Sequence, residues 1–230
     1  MENEDIKNNN SLVLVDKKEE SFAEGNNFYK IFWVFMFGCF FGYVYEVALH
    51  FVKFGEFVER KGVIYGPLNP VYGFAIALMI IILGNVKKTR NVFLIGTVLG
   101  GAFEYLCSLF QEKVFGSISW DYSNHFLNIN GRTTIPFAIV WGILCVLMIK
   151  IVLPYLSELI EKVPNKVGYP LTWVMVIFMV YNLSISSLAA NRNLERHKGI
   201  PANSEIDRVL DKHFPDEKMR EIYDNFEFTN

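Results

Sequence analysis

Residues 28–54 read FYKIFWVFMFGCFFGYVYEVALHFVKF, an apolar run interrupted only by Lys30, Glu46, His50 and Lys53. A bilayer core about 30 Å thick takes roughly 20 apolar residues of helix. In lipid, a single segment can satisfy its own backbone only as a helix. The run is therefore expected to cross a membrane, and the question for the rest of the chain is how often that pattern returns.

It returns four more times. Apolar runs cover residues 67–84, 91–110, 135–153 and 169–190, and charges crowd into the gaps between them. Lys87-Lys88-Thr89-Arg90 closes the second run, and Lys150 near the end of the fourth is long enough to snorkel to an interface. The expected fold is all-α, a polytopic transmembrane bundle of about five spans over residues 28–190. Residues 1–27, acidic and Asn-rich, have little to bury and are expected to be disordered. Residues 191–230 are expected to form a soluble helical tail. There Ile206, Val209, Leu210 and Phe214 recur at helical spacing behind Ser204 as N-cap, and Met219, Ile222 and Tyr223 follow Pro215 as one more short turn.

Composition alone would not decide this. The 230 residues are 52% hydrophobic, and ordinary globular chains are already about half apolar; the clustering carries the inference. A net charge of −2 supplies no basic stripe, so nucleic acid is excluded as a partner. Cys39, Cys107 and Cys145 all fall inside apolar runs without paired spacing, which makes them packing residues rather than a disulfide framework. Glu46 and His50 stand one turn apart but lack further ligands at metal-binding spacing. No metal or cofactor is expected. Asn182-Leu183-Ser184 matches a glycosylation sequon inside the fifth run, where no glycan could be added. The phosphate-binding pattern G-x4-G-K-[ST] is missing, so ATP hydrolysis would fall to a separate chain.

The runs repeat in detail. At an offset of 58, Val34-Phe35 meets Val92-Phe93, Gly38 meets Gly96, Gly42 meets Gly100 and Glu46 meets Glu104. At an offset of 69, Pro67 meets Pro136, Val71 meets Val140, Tyr72 meets Trp141 and Gly73 meets Gly142. Two such two-helix units each return the chain to its starting side, which gives a parallel internal repeat with the fifth run added. Sites in transporters built from repeats often lie between the halves.

Glu46 and Glu104 are the first candidates for chemistry. Each shares a helical face with glycines four and eight positions earlier, where another helix can approach closely, and a carboxylate at membrane depth marks either a functional site or a buried ion pair. The segment 59–73, ERKGVIYGPLNPVYG, is too rich in Gly, Pro and Tyr for a plain connector, and contributes Arg60, Tyr65 and Asn69. The segment 120–132 contributes Asp121, Asn130 and Arg132. Together these eight residues are expected to line a polar mouth on the face that also carries the C-terminal tail. Arg60 and Arg132 are the expected partners of the two carboxylates.

Taken together, Glu46, the run R60-K-G-V-I-Y-G-P-L-N-P-V-Y-G73, E104-Y105, W120-D-Y-S123, N128-I-N-G-R132 and the tail motifs R192-N-L-E-R196-H-K-G-I-P-A202 and F214-P-D-E217 resemble the bacterial CmpB-like, ABC-transporter type IV membrane proteins. The likeness covers about residues 28–225. It implies a permease-like, multi-pass protein of the bacterial inner membrane that contacts lipid and works with a separate ATPase subunit, with self-association into a homo-oligomer also open. Two other readings stay open beside it. One is a membrane-embedded enzyme on a lipid or lipid-linked substrate, with Glu46, Glu104, Asp121 and His125 as acid–base groups. The other is a non-catalytic membrane partner or assembly factor.

Overall fold

The computed structural model describes residues 20–224 and 227–228; what was expected of residues 1–19 lies outside the described residues. Seven helices follow one another: α1 (Phe28–Phe54), α2 (Pro70–Leu83), α3 (Thr89–Phe115), α4 (Ile135–Glu161), α5 (Asn165–His197), α6 (Glu205–His213) and α7 (Asp216–Ile222). Two short strand pairs join β1 (Ser117–Ile118) to β4 (Glu227–Phe228) and β2 (Asn128–Ile129) to β3 (Thr133–Thr134). The protein is an all-α polytopic bundle, and α1, α3, α4 and α5 are long and apolar enough to cross a membrane.

Each boundary has a local cause. The Asn27 side chain accepts from the Lys30 N–H and starts α1, which ends at Gly55 in the left-handed conformation. Asn69 caps α2 ahead of Pro70, which suits the first helical turn because its missing N–H would be unsatisfied there anyway. The second expected span is therefore only 14 residues of helix, about 21 Å at 1.5 Å per residue. α4 runs past 153, where a charged loop was expected. Pro154 has no N–H to offer the Lys150 carbonyl, and a π turn at Met148–Val152 absorbs the defect without ending the helix.

α1 packs along α2, and α3 along α4, through corresponding contacts. A Cβ on Gly42 would fall 2.3 Å from Tyr72 Cγ, and one on Gly100 only 2.2 Å from Trp141 Cβ. From the other side, a Cβ on Gly73 would meet the Phe35 carbonyl oxygen at 2.7 Å, and one on Gly142 the Phe93 carbonyl oxygen at 2.9 Å. The residues matched at offsets of 58 and 69 are thus the ones that touch. The register has a consequence for the connectors. Glu46 precedes the end of α1 by eight residues and Glu104 precedes the end of α3 by eleven, about 12 and 16 Å. Yet Tyr72 and Thr133, at the starts of α2 and α4, meet those carboxylates. Segments 55–69 and 116–134 therefore fold back along the outer ends of α1 and α3.

The two ends of the bundle are distinct. At one, Lys30, 2% exposed, pairs with Glu161; Asn165 accepts from the Phe22 N–H at 2.6 Å, and Lys150 donates to the Val86 and Lys87 carbonyls. Phe22 and Ala23 are fully buried, so residues 20–27 are docked, which corrects the expectation of a disordered stretch up to residue 27. At the other end, Arg60 bridges Tyr223, β1 pairs with β4, and Ile64 packs with Leu210, Phe214, Met219 and Ile222. Both motif segments and the tail share that end, as expected. α5 continues through the 190/191 boundary drawn from the sequence, and the tail turns away only after His197. Arg192, 3% exposed, grips Asp211 with two hydrogen bonds of 2.9 and 3.0 Å, and Arg196 holds Asp211 and Asp216. Ser204 and Asp207 complete a capping box on α6.

Candidate functional site

The carboxylates of α1 and α3 are half-buried at the motif-segment end, and hydroxyl groups meet them. Tyr72 on α2 donates to Glu46 Oε1. Glu104 accepts from the Tyr122 hydroxyl at 3.2 Å and from Thr133 Oγ1 at 2.6 Å. Tyr45 sits edge-on to Tyr72 with ring centroids 6.0 Å apart. Burial first, then the Glu104 carboxylate, then Glu46 beyond it, push the Tyr122 phenol above its usual range. Glu46 with Tyr72, and Glu104 with Tyr122 and Thr133, make up a polar layer at this end of the bundle.

The expected ion pairs do not form. Arg60 reaches His50 Nδ1 at 2.6 Å and lies 3.7 Å from Asp224; Arg132 pairs with Glu112, donates to Ser108 Oγ at 3.1 Å and sits 5.9 Å over the Tyr105 ring. Among the described residues no basic side chain pairs with Glu46 or Glu104. The register explains it. Glu104, Ser108 and Glu112 occupy successive turns of one α3 face. Thr133 at the foot of α4 meets the innermost of them, while the long Arg132 side chain runs outward to the other two. Arg60 is drawn the other way by its backbone pairing with Tyr223. A guanidinium can only donate, so His50 Nδ1 accepts and its ring proton is on Nε2.

The other candidates serve the backbone. Tyr65 is clamped by the fully buried Asn182 of α5, which accepts from its N–H at 3.1 Å and donates to its carbonyl at 2.7 Å. Ser186, one turn on, accepts from the Ile64 N–H at 2.9 Å. Irregular backbone at depth needs such partners, and α5 supplies them. Asn69 caps α2 and donates its N–H to the Cys39 carbonyl at 2.8 Å. Asn130, at φ +52, donates to the Tyr105 hydroxyl at 3.0 Å. Asp121 closes a local turn with Ser123, whose hydroxyl and N–H hold its carboxyl below the usual range; it is exposed and apart from the layer.

Sequence reasoning missed Tyr72, Tyr122 and Thr133 as carboxylate partners, and Asn182 with Ser186 as the clamp. The pair Asn182 and Ser186 left a signal: two polar residues one turn apart in an otherwise apolar run. Tyr122 left none, because Trp141 replaces Tyr72 in the second pair and the hydroxyl for Glu104 arrives from a distant segment. Beside the layer, Ala75, Leu78, Met79, Leu99, Gly100, Phe103 and Trp141 enclose a cavity of about 10 Å³ between the two helix pairs, space for about one water.

The comparisons with known proteins agree with this architecture. A family model described as Putative ABC-transporter type IV matches residues 33–187, from the second turn of α1 through most of α5. No curated protein and no solved structure matches the chain.

Proposed function

Since the chain belongs to the Putative ABC-transporter type IV family and is a transport-related, multi-pass membrane protein, we propose that it is a permease-like subunit of a bacterial inner membrane whose energy comes from a separate ATPase chain. One observation carries this reading. Two carboxylates occupy matching places in two similarly packed helix pairs, Glu46 is held by one hydroxyl and Glu104 by two, and among the described residues neither is paired with a basic side chain. Carboxylates kept at such cost inside a membrane bundle mark substrate or ion paths by default.

In this reading the two helix pairs form a parallel repeat, and the short α2 together with the re-entrant residues before it completes a fifth crossing. Glu46 and Glu104 offer four carboxylate oxygens to a polar or cationic solute. Tyr72, Tyr122 and Thr133 occupy those oxygens until solute replaces them. Tyr122 and Thr133 come from the segment 116–134, so their release frees that segment to move. A gap of about 10 Å³ between the pairs admits no solute, so passage requires the two pairs to move apart while the glycine contacts within each pair hold.

A second reading, a lipid-acting enzyme, is supported by the start of α4 at Ile135 beside the layer. In this second reading the apolar run 135–153 begins at the bilayer boundary and Glu104 lies near headgroup depth. Purification in mild detergent tests both. The permease reading expects a stoichiometric ATPase chain whose hydrolysis is stimulated by the parent protein and not by Glu46→Gln or Glu104→Gln, although both variants accumulate in the membrane. Absence of any ATPase chain, with altered lipid products instead, would sink it in favour of the enzyme.

A further inference from the structure

Two of the most exposed aromatic side chains occupy corresponding places in the two connecting segments. Phe57, 77% exposed, follows α1, and Phe126, 78% exposed, follows α3. The offset of 69 that matches α2 to α4 extends back through the connectors: it matches Phe57 to Phe126, Val58 to Leu127, Gly62 to Gly131 and Pro67 to Pro136. A single exposed Phe on a protein surface needs no explanation. The same residue, turned outward at the same register position in both halves, does.

Neither ring contributes to the buried core. Phe57 stacks on Phe51 with centroids 4.2 Å apart, and Phe51 and Phe54 are themselves 41% and 66% exposed. Beside Phe126, Leu127 and Ile129 also face outward, and the Leu127 carbonyl is tied to the Ile135 N–H at the start of α4. Each half thus presents a small apolar cluster at the end of the bundle where spanning helices pass into their polar connectors. Lys53 lies in the last turn of α1 beside the first cluster. Exposed aromatic side chains at that level, with Lys53 beside the first cluster, match the boundary between headgroups and acyl chains, whereas a water-facing surface avoids such clusters.

We infer that Phe57 and Phe126 are paired lipid anchors, one for each helix pair, which insert into the headgroup–acyl boundary and hold the re-entrant segments against the membrane. The pairing rests on the repeat reading; the insertion of each ring rests on its own exposure, and neither depends on transport.

The test places photoreactive p-benzoylphenylalanine at position 57 or 126 of the full chain, with position 98 in the lipid-facing middle of α3 and position 212 on the exposed side of α6 as controls. After irradiation in native membranes, lipid adducts are expected at 57, 126 and 98 and not at 212. A protein adduct at 57 or 126 would overturn the inference in favour of a partner docking on this end. So would lipid adducts at 98 without any at 57 and 126. An adduct at only one of the two would refute the pairing, leaving the permease reading to stand or fall on its ATPase test.

Discussion

Replacing Asn182 by leucine tests whether α5 holds the re-entrant segment. Asn182 is fully buried and makes two hydrogen bonds to the Tyr65 backbone, at 3.1 and 2.7 Å. Leucine fills nearly the same volume, so the substitution opens little cavity and isolates the polar loss. Hydrogen bonds between membrane helices average about 0.6 kcal/mol, but an orphaned buried donor or acceptor costs about 1–3 kcal/mol. Two orphaned backbone groups therefore set the loss at about 2–6 kcal/mol. For a chain of this size each kcal/mol moves Tm by roughly 2–4 °C. Asn182→Leu should then melt about 4–24 °C below the parent in mild detergent. Thermal exposure of buried Cys39 and Cys145 to a thiol probe reads the transition. If Asn182→Leu melts with the parent, water satisfies the Tyr65 backbone and the clamp is refuted.

Gly42→Leu and Gly100→Leu should both disrupt folding, because even a Cβ at these positions meets Tyr72 or Trp141 at 2.3 or 2.2 Å; normal accumulation and melting of both would show that the pairs tolerate separation. Asp211 is held below the usual carboxyl range by hydrogen bonds from Arg192 and then Arg196. A depressed native value means its contribution is present above the unfolded value near 3.9 and is lost as pH falls through the native one. Limited proteolysis should therefore release the tail after His197 below about pH 4 and leave it protected at neutral pH; equal cleavage at both would refute the latch. Cysteines at 61, 125 and 200 should react from one side of the membrane and a cysteine at 88 from the other; labelling of 61 and 88 from the same side would sink the five-pass topology.

How much was legible beforehand differs from element to element. The runs gave the spanning helices because lipid imposes one solution on a long apolar segment. The match of Gly42 with Gly100 and of Tyr72 with Trp141 was readable because close helix contact admits few residues, and those positions prove to be the contacts. Helix ends were read less well: α4 continued past Pro154 because a π turn absorbed the missing N–H, which composition does not reveal. The arginine partners of the carboxylates were misplaced because sequence proximity of Arg132 to Thr133 says nothing about which turn of α3 each side chain meets.

The sequence by itself determined that the chain carries several helices long and apolar enough to cross a membrane, and that Glu46 and Glu104 stand at matching positions of two similar runs. These follow from local rules, the cost of unpaired backbone in lipid and the period of a helix. Only the tertiary structure decided what the two carboxylates touch. Their partners come from residues 18 to 29 positions away, on an opposing helix or a folded-back segment. Such meetings depend on the register between packed helices, and that register is set by the summed fit of many side chains rather than by any one stretch of sequence.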